Sequence, residues 1–363
     1  MRALILSHLY ADPSTRGKLR ALAGSGVDLM AAFPGGSLGL DAGIRLTPVP
    51  VKGNLAEPEH LDWNARALRR ILSDFRPDLV HIEEPPGTQA AAALAAAARR
   101  LRIPYVAFSA ESLRRRRGLF EARRYRRTLA GATGVIGGSR QAADLLAAAA
   151  PAALRTMLPQ FGVTPTQPVV RNDVRRGIRL GFMGRLVPER GGEMLLRAVA
   201  ALMGAWTLTV AGTGPEQEVL ESLAQRLGLA SRIRWLGGIP RSELGPVWNE
   251  IDCLVVPSQD TPTWVDRFNP LLLEAMSRGI APVVTRAGAL PETVGSAGVV
   301  VDDQEDLVRS LQELLADPAR VRLLGARARQ RILEEFVDSA VALKTRAFWE
   351  QVLARGAQSS RGE

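Results

Sequence analysis

Two carboxylates, Asp266 and Glu274, flank the start of a predicted helix in the second half of the chain. The apolar run Cys253–Val256 predicts a buried strand before them, and Pro270 stands near the first helical position, which places Glu274 about one turn into the helix. A loop carboxylate and a first-turn carboxylate at the carboxyl end of a strand are well placed to hold the hydroxyl groups of a polar ligand. By themselves, the two residues are equally compatible with solvated surface acids.

A turn rich in glycine and arginine precedes this stretch. Gly184–Gly192 lies between a strand pattern, Ile178–Met183, and a helix pattern, Glu193–Met203, and it contains Arg185 and Arg190. The free amides and the positive dipole end of a helix start favour phosphate, and guanidinium groups bind phosphate oxygens. The alternative is that both are ordinary surface arginines. Cationic phosphate contacts and hydroxyl-holding carboxylates in one domain together indicate a nucleotide-sugar site.

Five motifs in a fixed order resemble a known family. They are G-R-L-x-x-x-R-G-G from Gly184, V-A-G-T-G-P from Val210, W-L-G from Trp235, V-P-S from Val256 and D-x7-E-A-M from Asp266. This order resembles the retaining glycosyltransferases of family 4, the group 1 glycosyl transferases, over nearly all of the second half of the chain. The resemblance implies the α/β GT-B fold, in which two Rossmann-like domains face each other across a cleft and a C-terminal helix crosses back to the N-terminal domain.

The resemblance also implies roles for individual donor-side residues. Arg185 and Arg190 would stabilise the donor diphosphate. Glu274 would bind the ribose hydroxyls, and Asp266 would lie nearer the donor sugar. These four form the implied catalytic set. The wider donor-binding set adds Gly184, Gly212, Gly214, Gly238, Ile239, Phe268, Asn269, Pro270 and Leu271.

Some of these positions have a second interpretation, and some depart from the family pattern. Gly212 and Gly214 are explained first as a tight strand-to-helix turn, with close backbone approach to a ligand as a secondary role. Arg190 stands where the family usually has lysine, and Asp266 where it has glutamate. Asn269-Pro270 replaces a glycine, and Pro270 has no N–H to offer a diphosphate. These departures leave the sugar preference open.

The first half of the chain is expected to hold the acceptor. The candidates follow three predicted strands or open the helix after the first of them, and they are His8, Gly17, Lys18, Glu83, Glu84 and Glu111. Gly17 and Lys18 come after Pro13–Arg16, which is predicted to be a flexible, cationic turn. For each candidate, a solvated loop role is as compatible with the sequence as contact with an acceptor.

The segment Arg114–Arg127 is the densest positive stretch, in a chain with a formal net charge of +10. Its interleaved apolar residues predict a basic amphipathic helix, which suits an anionic membrane surface where lipid-linked acceptors are found. A solvated helix face is the alternative. Nearly all of the positive charge is arginine, since there are only three lysines, and this bias weakens an argument for nucleic acid. No nucleic-acid partner is expected, because no recognition-module pattern accompanies the charge.

Length and composition predict two well-packed domains. The chain has 363 residues, 46% of them hydrophobic. The predicted parts are an N-terminal acceptor domain (1–163), a linker (164–177), a donor domain (178–338) and a crossover helix with a tail (339–363). Strand and helix patterns alternate in both halves, which predicts parallel sheets. The alanine-rich stretch Ala90–Ala98 is interpreted as a packed helix.

Other sequence features limit the possible cellular location and the possible cofactors. Neither a signal peptide nor a membrane span is recognisable, so the predicted location is the cytoplasm, with peripheral contact at the inner face of the membrane. Cys253, the single cysteine, lies in an apolar strand pattern and is expected to be inert core in a reducing compartment. No His/Cys cluster has metal-ligand spacing, so no metal site is predicted.

The chemistry that the resemblance implies is sugar transfer from a nucleoside-diphosphate donor, UDP- or GDP-linked, with retention and front-face attack. It requires neither a side-chain nucleophile nor an obligatory metal or other cofactor. The acceptor would be a carbohydrate, a lipid-linked sugar or a small molecule. Two alternatives remain open: a nucleotide-sugar epimerase, and a sugar-nucleotide-binding scaffold that has lost activity.

Overall fold

The computed structural model describes residues 1–54, 61–169, 177–267 and 269–359, with side chains up to residue 356 at the C-terminal end. The chain divides into two compact units. Unit 1 consists of Met1–Thr164 and Phe336–Glu363, and unit 2 consists of Pro165–Glu335. The first crossing between them lies within the predicted linker, of which residues 170–176 lie outside the described residues.

Unit 1 alternates strands and helices. In chain order these are β1 (Arg2–Leu6), α1 (Gly17–Gly24), β2 (Asp28–Pro34), β3 (Gly39–Asp41), β4 (Ile44–Val49), β5 (Val51–Lys52), β6 (Asp62–Trp63), α2 (Ala65–Phe75), β7 (Leu79–Ile82), α3 (Gln89–Arg100), β8 (Tyr105–Ser109), α4 (Leu119–Leu129), β9 (Gly134–Gly137), α5 (Arg140–Ala149) and β10 (Leu154–Met157). Within the described residues, eight strands form one sheet in the order β10-β9-β8-β7-β1-β2-β4-β3. All its neighbours pair in parallel except β3 and β4. The predicted parallel sheet is confirmed, and the strand order reverses between β1 and β7.

The alternation of side chains along β1 divides the core of unit 1 between the two faces of the sheet. Ala3 and Ile5 pack in one cluster with Leu19 of α1. Leu4 and Leu6 pack in another, which contains the apolar residues of α2 and α3. Both faces are therefore covered, and this explains why β1 is apolar from Ala3 to Leu6 instead of alternating with polar residues.

The predicted alanine-rich helix is confirmed as α3. Thr88 caps it by accepting a hydrogen bond from the Ala91 N–H at 3.3 Å. Ala90, Ala91 and Ala95 are fully buried. Small side chains let this helix lie close to the sheet, so the composition serves packing.

Unit 2 repeats the alternation. Its elements are β11 (Ile178–Met183), α6 (Gly192–Ala200), β12 (Trp206–Ala211), α7 (Gln217–Arg226), β13 (Ile233–Trp235), α8 (Gly245–Trp248), β14 (Cys253–Val256), α9 (Pro270–Ser277), β15 (Ala281–Thr285), α10 (Leu290–Val294), β16 (Val299–Val301), α11 (Gln304–Ala316) and α12 (Pro318–Arg331). In the described part of the chain, six strands form a parallel sheet in the order β13-β12-β11-β14-β15-β16. Its strand order reverses between β11 and β14. Cys253 is buried in β14 and is not part of a disulfide.

The last helix, α13 (Asp338–Ser359), belongs to unit 1. It follows a π-helical segment, Ile332–Phe336, at the end of α12. Phe348, Trp349 and Val352 of α13 are buried in the cluster that contains Ala3 and Ile5. The predicted return of the C-terminal helix to the N-terminal domain is therefore confirmed.

Three local features differ from what the sequence pattern predicts. Helical periodicity over Leu61–Phe75 predicts one helix, but the helix begins at Ala65, because Asp62–Trp63 form β6, which pairs with β5. Strand β10 has no counterpart in the sequence prediction, because its partly exposed residues lack a strong apolar pattern. Helical periodicity over Ala319–Glu335 predicts another helix, but the chain leaves α-helical geometry after Arg331.

None of the helices in the described part of the chain has both the length and the apolar character that crossing a membrane requires.

Candidate functional site

The turns after β11 and β12 pack against each other at the carboxyl end of the unit 2 sheet, here called the unit 2 edge. Gly212 has a φ of +151°, and a Cβ atom there would lie 1.8 Å from the carbonyl oxygen of Gly184. A Cβ atom at Gly214 would lie 2.2 Å from the carbonyl oxygen of Leu186. No larger residue fits at either position unless the backbone shifts. This geometry supports the tight-turn interpretation of Gly212 and Gly214.

Two arginines extend from the turn after β11. Arg185 is exposed, and its guanidinium contacts no carboxylate or hydrogen-bond acceptor among the described residues. Arg190 is half-buried, and its guanidinium donates to Asp266 Oδ2 at 2.7 Å. It also lies over the ring of Trp264, 5.3 Å from the centroid. Arg190 is therefore held in one orientation, while Arg185 keeps all of its donors.

Asp266 does not extend towards solvent as a holder of sugar hydroxyls would. The side chain is buried, and its Oδ2 accepts hydrogen bonds from Arg190, from Ser258 Oγ at 3.0 Å and from Asn269 Nδ2 at 3.3 Å. The expectation that Asp266 projects to the donor sugar is corrected: in this structure it orients Arg190. The shorter side chain keeps the carboxylate close to its own backbone, where these donors lie.

The start of α9 has the predicted position. Asn269 is the N-cap and accepts from the Leu272 N–H at 3.1 Å, and Pro270 is the first helical residue. Pro270 has no N–H, and the Leu272 N–H donates to the Asn269 side chain. The Leu271 N–H is therefore the first-turn donor without an acceptor among the described groups. Phe268, predicted to contact the donor, lies outside the described residues.

Glu274 lies about one turn into α9, as predicted. Its Oε1 accepts from the Trp248 indole N–H at 2.8 Å and from Arg278 at 3.3 Å. Its Oε2 accepts from Arg241 Nε at 3.1 Å. A carboxylate has about four lone-pair sites, so Glu274 retains capacity for a ligand hydroxyl. Sequence reasoning missed Trp248 and Arg241, since both contacts depend on the packing of distant segments.

The loop after β13 completes the unit 2 edge. The Gly237 carbonyl accepts from the Gly212 N–H at 2.7 Å. Gly238 is exposed and Ile239 is half-buried at this edge.

At the carboxyl end of the unit 1 sheet, here called the unit 1 edge, β1 and β7 end side by side at the reversal of strand order. Leu6 pairs with Ile82, and the Glu83 N–H donates to the Leu6 carbonyl at 2.9 Å. His8 Nδ1 lies 2.8 Å from Glu84 Oε1. Reversal points at this end of a parallel sheet are where open α/β folds bind ligands.

Two acceptor candidates, Lys18 and Glu83, are in the core instead of on a surface loop. Their residues are 1% and 3% exposed, and their side chains form an ion pair. The Tyr10 hydroxyl also donates to Glu83. Burial by itself raises the pKa of Glu83, but Lys18, His81 and Tyr10 outweigh it and hold that pKa below its usual range. We correct both assignments to internal supports of the unit 1 edge.

The predicted flexible, cationic turn before α1 is wrong as well. Arg16 is buried, and its Nε donates to the Tyr10 carbonyl at 2.8 Å. A Cβ atom at Gly17 would lie 2.0 Å from an oxygen of Asp338 in α13. The Gly162 and Lys18 N–H groups donate to that carboxylate, so Asp338 occupies the start of α1.

Glu111 is held by arginines of the next loop. Its carboxylate pairs with Arg115 at 2.8 Å and with Arg117. Arg117 in turn lies over the Tyr125 ring, 3.8 Å from the centroid. Glu111 therefore orders the segment before α4.

His81 gives unit 1 a stability that depends on pH. The side chain is buried, and neither ring nitrogen has a hydrogen-bond partner, although Glu83 Oε1 lies 3.5 Å from Nδ1. Burial lowers the pKa of His81 from 6.5 to about 4; Glu83 opposes this effect and Lys18 adds to it. Between these two values the unfolded chain binds the proton and the folded chain does not.

The contribution of His81 to the free energy of unfolding should therefore be fully present above pH 6.5. It should fall by about 1.4 kcal/mol per pH unit as the pH drops towards 4, and change no further below that. We expect urea unfolding at pH 7 and pH 5 to show this loss in the wild type. The His81→Phe variant keeps a ring against Trp349 and should lose less between the two pH values. Equal losses in both proteins would contradict the assignment.

No group of three or more His, Cys, Asp or Glu side chains within the described ranges is arranged to hold a metal ion.

Comparisons with known protein families match both halves of the chain. A family described as "Glycosyl transferase 4-like domain" matches residues 11–160. A family described as "Glycosyl transferases group 1" matches residues 177–317.

Curated relatives match part of the chain. One is a GDP-mannose-dependent α-(1-6)-phosphatidylinositol monomannoside mannosyltransferase of Mycolicibacterium smegmatis, 33% identical over 42% of this chain and 43% of its own length. Another is a 2-deoxystreptamine glucosyltransferase of Streptomyces kanamyceticus, 28% identical over 58% of this chain and 52% of its own length. The chain thus spans about half the length of these relatives.

Solved structures match over almost the whole chain. A sucrose-phosphate synthase from Thermosynechococcus elongatus is 20% identical, with a TM-score of 0.68, over 98% of this chain and 100% of its own. HepE of Anabaena, solved in complex with UDP, is 18% identical, with a TM-score of 0.69, over 97% of this chain and 100% of its own. At these identities the likeness establishes the fold.

Proposed function

Because the chain belongs to the group 1 glycosyl transferases of family 4 and has their GT-B fold of two Rossmann-like domains, we propose that it transfers a sugar from a nucleoside-diphosphate sugar to an acceptor hydroxyl. The observation that carries this proposal is the turn after β11. There, Arg185 has uncommitted donors on the same turn as Arg190, which Asp266 already orients. Such a pair suits a diphosphate, since Arg190 is already oriented and Arg185 has donors available for the phosphate oxygens.

The donor would bind at the unit 2 edge. Arg185 and Arg190 contact the diphosphate, and the Leu271 N–H adds one donor at the positive end of α9. Glu274 accepts the ribose hydroxyls with the lone pairs that Trp248 and Arg241 leave free. The loop Gly237–Ile239 meets the base through its backbone. The donor is UDP- or GDP-linked, which is supported by the GDP-mannose dependence named for the mannosyltransferase relative and by the UDP named for HepE.

The reaction proceeds with retention by front-face attack. The bond from the anomeric carbon to the phosphate oxygen breaks as the bond to the acceptor oxygen forms on the same face, and the leaving phosphate oxygen takes the hydroxyl proton. Negative charge grows on the diphosphate during this step, so the arginines stabilise the transition state more than the ground state. The two guanidinium charges serve in place of a metal, and we propose that transfer is metal-independent, without any obligatory cofactor.

The acceptor would be a carbohydrate, glycolipid or small-molecule hydroxyl compound bound at the unit 1 edge, in a cytoplasmic protein with peripheral contact at the inner face of the membrane. The basic surface, Arg114–Arg127, is suited to that contact. Leu119 and Phe120 at the start of α4 are 89% and 81% exposed. A cavity of about 550 Å³ opens beside Phe120 and is lined by that ring and by arginines of α3 and α4. Exposed apolar side chains can enter the acyl region of a membrane surface while the neighbouring arginines contact its anionic headgroups.

Vesicle co-sedimentation tests this contact. The full chain should bind vesicles that contain phosphatidylglycerol more strongly than vesicles of phosphatidylcholine alone, because the arginines meet negative charge only in the former. Phe120→Ser should weaken binding about tenfold or more, the expected loss for one buried aromatic side chain. Leu323→Ser is the matched control, since Leu323 is an exposed leucine of unit 2. Equal effects of the two substitutions would contradict the proposal.

A non-catalytic sugar-nucleotide-binding protein is a second candidate. It is favoured by the buried Asp266, which is occupied by three donors, and by Pro270, which removes one amide from the start of α9. A protein of this kind would bind the nucleotide sugar without cleaving the bond between the sugar and the diphosphate.

A thermal-shift screen against UDP, GDP, ADP, dTDP and CDP, with and without magnesium, tests the proposal. A nucleotide present at 100 times its Kd should add about 2.7 kcal/mol of apparent stability. If one nucleoside diphosphate raises the unfolding temperature clearly more than the others, and does so without magnesium, it identifies the donor base. Hydrolysis of the matching nucleotide sugar above background would then exclude the non-catalytic candidate. If none of the nucleotides shifts the transition, the proposed function is wrong.

A further inference from the structure

His8 and Glu84 form a pair across the strand-order reversal of unit 1. Glu84 Oε1 accepts a hydrogen bond from the backbone N–H of His8 and lies 2.8 Å from the ring Nδ1 of the same residue. The side chain of Glu84 is 1% exposed and that of His8 is 20% exposed. The carboxylate is thus behind the imidazole, and the imidazole is the part of the pair that a ligand can reach.

The contacts of Glu84 fix the tautomer of His8. Oε1 already accepts the His8 backbone N–H, so it offers Nδ1 a lone pair and not a proton. Nδ1 must then carry the hydrogen, and in the neutral ring Nε2 is left as a hydrogen-bond acceptor. The start of the turn is fixed as well, because Ser7 Oγ accepts from the Leu9 N–H at 3.3 Å and the Ser7 N–H donates to the Ala32 carbonyl at 3.2 Å.

The other acidic candidates of the unit 1 edge are committed elsewhere. Glu83 binds Lys18 and Tyr10, and Glu111 binds two arginines. Among the acceptor candidates, His8 is the one whose structure leaves a fixed lone pair on a partly exposed ring. The second oxygen of Glu84, Oε2, is buried without a hydrogen-bond partner among the described residues, so negative charge remains behind the ring.

We propose that His8 Nε2 binds a hydroxyl group of the acceptor, and that Glu84 is the positioning residue that holds His8 in this tautomer. The proposal rests on the proposed function. A lone pair backed by a buried carboxylate accepts hydrogen bonds from uncharged hydroxyl groups and repels anions. The part of the acceptor that contacts His8 is therefore a neutral polyol, such as a sugar ring, and not a phosphate group.

Histidine-selective ¹⁵N NMR of the full chain tests the tautomer directly. The chain has three histidines, so His8→Gln assigns the His8 signals by their loss, and the signals of buried His81 report that the fold is intact. We expect Nδ1 to be protonated and Nε2 unprotonated in the wild type at neutral pH. Glu84→Ala should mix the tautomers, because Nδ1 then loses the acceptor that holds its hydrogen. The matched control Glu111→Ala should leave them unchanged.

Ligand selectivity is tested in the same spectra with methyl α-D-mannopyranoside as the polyol and inorganic phosphate as the anion. The polyol should shift the His8 Nε2 signal, with at least tenfold weaker apparent affinity in Glu84→Ala, and phosphate should not shift it. The inference is overturned if Nε2 is protonated in the wild type, if Glu84→Ala keeps the Nδ1-protonated tautomer, if the polyol leaves Nε2 unchanged or if phosphate shifts it. Nucleotide binding is measured separately, so a chain that binds a nucleoside diphosphate but fails here refutes this inference alone.

Discussion

Replacing Arg185 with alanine is expected to lower kcat/KM for the nucleotide-sugar reaction by about 10²–10³, the usual effect of removing one donor that stabilises the charge developing in a transition state. Arg185 is exposed and has no partner among the described residues, so the loss should appear in turnover and not in folding. The free energy of unfolding of the Arg185→Ala variant should stay within about 0.5 kcal/mol of that of the wild type. Initial rates of donor hydrolysis or transfer, with urea unfolding in parallel, measure both quantities.

Two comparisons sharpen this test. Arg190→Ala should lower stability as well as turnover, because it leaves the buried carboxylate of Asp266 without its cationic partner. Arg226→Ala removes an exposed arginine of α7 that bonds Ser222 and should change neither. Near-normal turnover in Arg185→Ala would remove this residue from the diphosphate site.

Lys18→Met is expected to destabilise the protein by about 3–5 kcal/mol, the usual cost of leaving one charge of a buried ion pair without its partner. Lys18 and Glu83 have side chains that are 1% and 0% exposed, so water cannot replace the lost ammonium group. Methionine fills a similar volume, which limits the contribution of an empty cavity. Urea unfolding at neutral pH measures the loss.

The matched control for Lys18→Met is Arg20→Met on the same helix. Arg20 pairs with Asp41 at 2.9 Å, but its side chain is 40% exposed, and pairs of this kind contribute about 0–1 kcal/mol. The double variant Lys18→Met/Glu83→Gln should recover part of the loss, because it removes the orphaned charge. If Lys18→Met costs no more than Arg20→Met, the pair does not support the unit 1 edge in the way we describe.

The sequence predicted the donor-side framework of unit 2 closely. The strands predicted over Ile178–Met183 and Cys253–Val256 have these bounds in the structure. The helix that begins at Pro270 and places Glu274 in its second turn was also predicted. These features are local: apolar runs mark buried parallel strands, and proline and glycine mark where a helix begins and ends.

The individual roles of charged residues were harder to predict. Asp266 was expected to face a sugar, but it folds back onto Arg190, which is 76 residues away in sequence. Lys18 was expected on a surface turn, but it reaches Glu83, 65 residues away, inside the core. In both cases the pairing depends on which turns lie side by side at the sheet edge, and strand order decides this.

The sequence by itself determined the parallel α/β architecture, the family, and the order of the turns that carry Arg185, Asn269 and Glu274. Short-range patterns suffice for these, because strand burial, helix caps and glycine turns are set by neighbouring residues. Only the tertiary structure decided which charged groups are paired inside the fold and which remain available to a ligand. Lys18, Glu83 and Asp266 are neutralised in the interior, whereas Arg185 and the His8 ring keep groups that no described side chain occupies. The physical reason is that burying an unpaired charge is costly, so distant partners must meet wherever the fold removes water.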